Sequence, residues 1–366
     1  MTRTNQVLSL ALVVQIVIGV FLFIPDDSDT NDAAGPLLAE FEADQVVGLT
    51  IQDADDNTTL LHKNAQDDWV LPDNGDYPVT ASKVQTLLDQ IEGINRDRLI
   101  AQNSSSHNRL GVGDDDYERL IQVELADGDT QSIYLGTSSG TSAAHVRLKG
   151  ENDVYLTSEL AAWEVSSQLS SWVDTMYFSL TSDDIVTIQI ENENGAFALQ
   201  KSDEAWTLAD LGDDETFDSA SITSILSSVS TVRLAEPLGI EADPAWSMDE
   251  PVAKITVTIA EEVVAEEDDG EAVLPSLDEL LPTPLPESEE LPLSAMPTST
   301  PAVKTVEKTY ELIIGQALED GNYPLISSES EFYVAISAST ANGFLTLARE
   351  NFLVETETMQ QGNDTE

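Results

Sequence analysis

The chain has 366 residues, 68 acidic against 15 basic side chains, and no cysteine. A formal net charge of −53 excludes nucleic acid as a partner, because phosphate binding needs a basic patch. The missing cysteine excludes disulfides, thiolate metal sites and a cysteine nucleophile. An acidity this extreme fits a strongly hydrated surface suited to high salt, where screening weakens self-repulsion, or divalent-cation binding by clustered carboxylates.

Near the start, Val7 to Ile24 reads VLSLALVVQIVIGVFLFI, 18 residues without a charge. At a rise of ~1.5 Å per residue, such a helix spans about 27 Å, close to the hydrocarbon thickness of a bilayer. Arg3 precedes the run and Asp26, Asp27, Asp29 and Asp32 follow it, which places the N-terminus in the cytoplasm and the body outside. A cleaved signal peptide would have a shorter apolar stretch and a small-x-small cleavage site. The pattern therefore predicts a retained single-pass anchor in residues 1–24, followed by a linker over 25–43.

Two α+β units are expected next, 44–180 and 181–354. The first opens on an alternating strand, VVGLTIQ from Val46, and the second on DIVTIQIE from Asp184. Each continues through a turn into a second strand; Asn194-Gly195 is a strong hairpin signal because both residues tolerate positive φ. A Trp-centred strand follows in each, at Trp69 and Trp206, and then a helix. Val84, Leu87, Leu88 and Ile91 have counterparts Ile222, Ile225, Leu226 and Val229, all at an offset of 138 residues. The N-cap candidates Thr80 and Asp218 share that offset.

A Leu-Gly-aliphatic element then pairs Leu110-Gly111-Val112 with Leu238-Gly239-Ile240. Paired strands come next, LIQVEL with QSIYLG around Asp127-Gly128, and AKITVTIA with KTYELIIG. Each unit ends on a strand near a tyrosine and an amphipathic helix, Ser158 to Trp172 and Ser339 to Asn351. The predicted fold class is thus α+β: two tandem copies of a mixed, mainly antiparallel sheet unit with two helices each, plus one N-terminal transmembrane helix. Between the last-named strands of the second unit lies an insertion, residues 261–303, with 12 acidic residues, no Lys or Arg, and seven of the 15 prolines. That composition predicts disorder, as does the tail 355–366.

This order of anchor, strand pair, Trp strand, helix of the TASKVQTLLDQI type, Leu-Gly-x element and strand ending in Leu135-Gly136 resembles the domain-of-unknown-function family numbered 4340. The resemblance implies a membrane-anchored envelope protein beside an ABC-type transport system of the gliding-motility kind. It carries no active-site residues.

The residues themselves offer little chemistry. His62, His107 and His145 have no metal-ligand spacing, and there is no G-x-S-x-G elbow, P-loop or G-x-G-x-x-G. The candidate metal ligands are Asp53, Asp55 and Asn57, which begin like a calcium loop but have Thr58 where that loop needs glycine and Asn64 where it needs glutamate. Asp114-Asp115-Asp116 and Asp213-Asp214-Glu215 are similar acidic loops. No cofactor is implied. The expected function is a non-enzymatic, extracytoplasmic accessory or scaffold protein at the cell membrane, associated with ABC-type transporter subunits. The alternatives are a binding module for divalent cations or an envelope polymer, and an envelope hydrolase using two carboxylates.

Overall fold

The computed structural model describes residues 35–39, 41–137, 140, 142–203, 205–264 and 303–354. The expected anchor, most of the linker, the body of the insertion and the tail lie outside them. Among the described residues no helix is long and apolar enough to cross a membrane.

Two large sheets account for most of the described chain. The first contains β1 (Val46–Asp53), β2 (Thr58–Lys63), β3 (Trp69–Leu71), β4 (Tyr77–Pro78), β5 (Leu99–Ala101), β6 (Arg119–Leu125), β7 (Thr130–Thr137), β8 (Ala144–Leu148) and β9 (Val154–Thr157), in the order β4-β3-β2-β1-β6-β7-β8-β9-β5. After β10 (Met176–Ser179), the second contains β11 (Ile185–Asn192), β12 (Gly195–Ser202), β13 (Ala205–Leu208), β15 (Glu236–Gly239), β16 (Ala253–Val264), β17 (Val303–Ile314), β18 (Tyr323–Ser327) and β19 (Tyr333–Ile336), in the order β13-β12-β11-β16-β17-β18-β19-β15. β10 pairs with β14 (Thr231–Arg233) in a separate ribbon. The two orders correspond strand for strand, β4 apart. The central pairs β1–β2, β1–β6 and β6–β7 are antiparallel, as are β11–β12, β11–β16 and β16–β17.

By packing, the chain divides into one unit of residues up to Trp69 with Thr80–Gln168, and another of Val70–Val79 with the residues from Leu169 on. The expected boundary after residue 180 therefore differs, because β10 falls in the second unit.

Three α-helices are present among the described residues: α1 (Ala81–Glu92), α2 (Ile222–Ser230) and α3 (Ala338–Leu345). The apolar stripe of α1, Val84, Leu87, Leu88 and Ile91, is buried as its spacing predicts. Ile222, Ile225 and Val229 of α2 are buried and Leu226 half-buried. Thr80 stands at the N-cap of α1 without a side-chain capping bond; the N-cap of α2 is Ser221 and not the expected Asp218, whose Oδ1 accepts from the Ala220 N–H in the turn before the helix.

Two helices per unit is corrected. The segment 158–172 forms only short 3-10 turns, Ala162–Glu164 and Leu169–Ser171. Its carbonyls serve other partners: Arg119 Nε donates to Val165 O at 2.7 Å, and the buried Thr59 hydroxyl to Ser167 O at 2.6 Å. An α-helix would need those oxygens for its own ladder. Trp163 and Trp172 accordingly do not share a helix face: Trp163 is 70% exposed and Trp172 4%. The second terminal helix is shorter than expected, capped by Ser337, whose hydroxyl accepts from Thr340 N–H, and followed by a 3-10 turn, Arg349–Phe352.

The Leu-Gly pairing is also corrected. Leu238-Gly239 ends the edge strand β15, whose counterpart is β5. Leu110-Gly111 instead ends a 3-10 turn, Asn108–Leu110, with Gly111 left-handed at φ 67°. In the second unit a similar turn, Pro244–Trp246, ends on Ser247, left-handed at φ 51°. In both units the turn lies against the glycine that ends the apolar part of a central strand. A Cβ on Gly136 would collide with the Leu110 and Gly111 carbonyl oxygens, and one on Gly315 with the Trp246 carbonyl oxygen.

Candidate functional site

The feature of the second unit that its sheet does not require is the ribbon made by β16 and β17. Alternation builds its root. Ala253, Ile255, Val257 and Ile259 are buried, and so are Tyr310, Leu312 and Ile314 opposite them. Lys254 and Glu311 pair on the other face at 2.7 Å, and the Thr258 and Thr309 hydroxyls meet at 3.1 Å. The hydrogen bond from Lys254 to Glu311 raises the lysine's pKa despite a small opposing effect of burial.

The buried face stops at Ile259 and Tyr310. Tyr310 meets Phe178 edge-on at 5.6 Å, and Lys308 closes the row with its Nζ 4.6 Å from the Tyr310 ring and 3.0 Å from Glu329. The ribbon does not stop there. It stays in register through Glu261↔Val306 to Val264↔Val303. β11 accompanies β16 only as far as Ile259, and β18 accompanies β17 only from Leu312. Beyond Ile259 and beyond Glu311, whose carbonyl still accepts from the Ser328 N–H at 2.9 Å, each strand has the other as its strand partner among the described residues. The described side chains there, Glu261 and Thr305 to Lys308, are exposed. Such a ribbon presents two strand edges, the geometry that takes up an extended segment by strand addition.

Part of the expected insertion 261–303 is thus strand. Residues 261–264 and 303 are strand, and 265–302 lie outside the described residues. At the root of the ribbon an open cleft of about 740 Å³ is lined by Asp183, Asp184, Asp203 and Glu261, with Lys201 and Thr305. Lys201 Nζ donates to the Asp183 carbonyl at 3.1 Å. An open cleft of about 800 Å³ includes Glu191, Glu193, Lys254 and Tyr323. The first is a polar groove and the second a mixed one that also takes in Val252 and Leu345; both are open, unlike the enclosed apolar pockets that small ligands favour.

The sequence-predicted metal candidates occupy the β1–β2 turn. The structure brings Asp53 and Asn57 together for a different purpose. Asp53 Oδ1 accepts from the N–H groups of Asp55 and Asn57, at 2.9 and 3.0 Å, and Oδ2 from Asn57 Nδ2 at 2.9 Å and Ser167 Oγ at 2.6 Å. Partial burial pushes this carboxyl up, but the Ser167, Asn57 and backbone hydrogen bonds outweigh it and hold the pKa at about 2. Its oxygens close a turn in the manner common to Asp in turns.

The other acidic loops are similarly occupied. Arg147 donates to Asp114 at 2.6 Å and lowers that carboxyl's pKa. Arg349 and the Gly212 N–H hold Glu215 at about 2. Among the described residues no group of three or more His, Cys, Asp or Glu side chains is arranged to hold a metal ion. The histidines are scattered: His62 Nδ1 lies 2.7 Å from Lys63 O, His107 Nε2 3.0 Å from Asn152 O and His145 Nδ1 2.5 Å from Thr137 O.

One organising residue escaped sequence reasoning. Arg147 is 2% exposed, donates to Val112 O at 2.7 Å and Glu151 O at 3.1 Å, and lies 4.5 Å from the Tyr134 ring. It ties the loop before β6 onto β8. The available signal was an arginine in the strand AHVRL with no acidic residue beside it in sequence; its acidic partner, Asp114, lies 33 residues away.

The family model described as Domain of unknown function (DUF4340) matches residues 69–251, half of the chain. No curated protein and no solved structure gave a match.

Proposed function

The chain belongs to the DUF4340 family, and from that premise we propose that it is a membrane-anchored, non-enzymatic accessory or scaffold protein working outside the cytoplasm, with the β16–β17 ribbon as its docking arm. The observation that carries this reading is the ribbon itself. It continues in register past both neighbouring strands, with its described side chains exposed. Apolar burial does not account for that extension, since the buried row ends at Ile259 and Tyr310.

The rest of the reading rests on sequence. The 18-residue apolar run at Val7–Ile24 supports a single-pass anchor, and Arg3 before it and the aspartates after it support an extracytoplasmic body. The family resemblance supports a place beside an ABC-type transport complex. The 138-residue offset of the two helix stripes and the matching strand orders support descent of both units from one duplicated unit.

The test is cross-linking of a tagged full-length chain in native membranes, followed by identification of what travels with it. Transporter subunits captured by the intact chain, and lost when residues 260–307 are replaced by a short turn, are the expected result. A chain recovered alone under the same cross-linking removes the scaffold reading.

A further inference from the structure

Two N-x-Ser/Thr sequons lie among the described residues, Asn57-Thr58-Thr59 and Asn103-Ser104-Ser105, and the fold treats them in opposite ways. N-linked glycosylation joins the asparagine amide nitrogen to the anomeric carbon of a sugar carried on a lipid phosphate. The N–C bond forms as the C–O bond to phosphate breaks; the lipid phosphate leaves with the electron pair, and the amide proton passes to a base of the transferase. The acceptor must therefore offer both a free amide nitrogen and the hydroxyl two residues on.

Asn57 offers neither. Its Nδ2 donates to the Asp53 carboxylate at 2.9 Å. Thr59 is fully buried, and its hydroxyl donates to Ser167 O at 2.6 Å. Asn103 offers both. It is exposed, in extended backbone at φ −139° and ψ 147°, immediately before the 3-10 turn Ser104–Ser106. The exposed Ser105 donates its hydroxyl to Asn103 Oδ1 at 2.5 Å, so the third-position hydroxyl already lies against the carboxamide. Ser106 Oγ reaches the same oxygen at 3.3 Å. The Asn103 amide nitrogen donates to nothing among the described residues.

We propose that Asn103 carries an N-linked glycan and that Asn57 does not. The inference rests on the extracytoplasmic reading, since the transferase and its lipid-linked donor act on that side of the membrane. A third sequon, Asn363-Asp364-Thr365, lies outside the described residues.

The test uses the full chain recovered from membranes of the cells that make it. Trypsin releases Leu99–Arg109, and fragmentation that preserves glycans locates any added mass. A glycan mass on Asn103 and an unmodified Asn57 are expected. N103Q and S105A should each abolish that mass with an unchanged melting profile, while S104A, at the central position, keeps it. An unmodified Leu99–Arg109 peptide, or a glycan on Asn57, overturns the proposal. Protease added to intact cells provides the separate reading of topology. A digested body with an unmodified Asn103 sinks the glycan alone. A protected body with a glycosylated Asn103 sinks the topology alone, and a protected, unmodified body sinks both.

Discussion

The two central hairpins occupy the same place in sheets of the same strand order, yet they end differently. β6 and β7 close at the sheet margin through Asp127-Gly128, with Gly128 at φ 91° and Asp127 Oδ1 accepting from the Asp129 N–H. β16 and β17 run on past their neighbours. One strand over the register is the same but the residues differ. Leu135 faces Val146 and Tyr134 faces Arg147; in the second unit Ile314 faces Leu325 and Ile313 faces Ile326. A buried guanidinium over a tyrosine thus stands where the other unit has two isoleucines. The shared order shows what the sheet needs. The arginine is one unit's way of fastening its covering loop, and the ribbon is a departure that core packing does not explain.

The largest expected effect tests the fastening. Arg147→Met takes the donor from the buried Val112 O and the half-buried Glu151 O and should cost about 4 kcal/mol, since each orphaned acceptor costs ~1–3 kcal/mol. Ile326→Val, at the matching register, should cost ~1 kcal/mol. Urea denaturation of both variants reads the difference. Equal losses would mean that the two registers fasten their units alike.

Next comes the glycine that both units share. Gly136→Ala drives a methyl group into two backbone carbonyls and should cost about 3 kcal/mol, at the upper end of typical overpacking. Gly315→Ala meets the Trp246 carbonyl and the Met248 thioether. The thioether side chain can swing away, so a smaller loss is expected. A larger loss at Gly315 would break the equivalence of the two turns.

Those two glycines also show what sequence could convey. The helix stripes were legible, because four apolar residues at helical spacing have one way to be buried together, and the central strands were legible from alternation. The Leu-Gly repeat misled because the dipeptide recurs in unlike places, a 3-10 turn at Leu110-Gly111 and an edge strand at Leu238-Gly239, while the turn against Gly315 ends on Ser247, a residue seldom expected at positive φ. The 158–172 segment has helical spacing but gives its carbonyls to Arg119 and Thr59, contacts that no local pattern records. The ribbon's last pairs were hidden by acidic residues that read as loop. The Asp53 segment was legible as a turn-forming Asp- and Asn-rich loop with calcium-like spacing, whereas its bond to Ser167, 114 residues away, was not.

That long-range bond sets a pH dependence. Asp53 titrates at about 2 in the fold against an ordinary 3.8, so its contribution is fully present above about pH 4 and is lost as pH falls toward 2. Ser167→Ala removes one donor, should cost ~1 kcal/mol at neutral pH, and should move the Asp53 midpoint up from about 2 toward 3.8. Carboxyl-carbon NMR titration reads the midpoint directly. A midpoint that stays put would show that the turn alone holds the charge.

The smallest expected effect belongs to the ribbon, and it bears most on function. Replacing residues 260–307 by Ala-Asp-Gly-Asp, the turn that closes β6 and β7, removes the extension while keeping Ile255, Val257, Ile259, Tyr310, Leu312 and Ile314 in place. Val306, the large apolar side chain lost from the described extension, is 43% exposed, so little apolar burial disappears with it. The shorter loop also lowers the cost of closure, which grows only slowly with length. These contributions are small and opposed, and the change in unfolding free energy should stay within about 1 kcal/mol, the scale of surface changes away from buried features. A loss of several kcal/mol would make the extension a structural support of the second sheet, and the docking role would lose the observation that carries it. Unchanged stability together with lost cross-linking to a membrane partner would leave recognition as the property that the first unit's tight turn lacks.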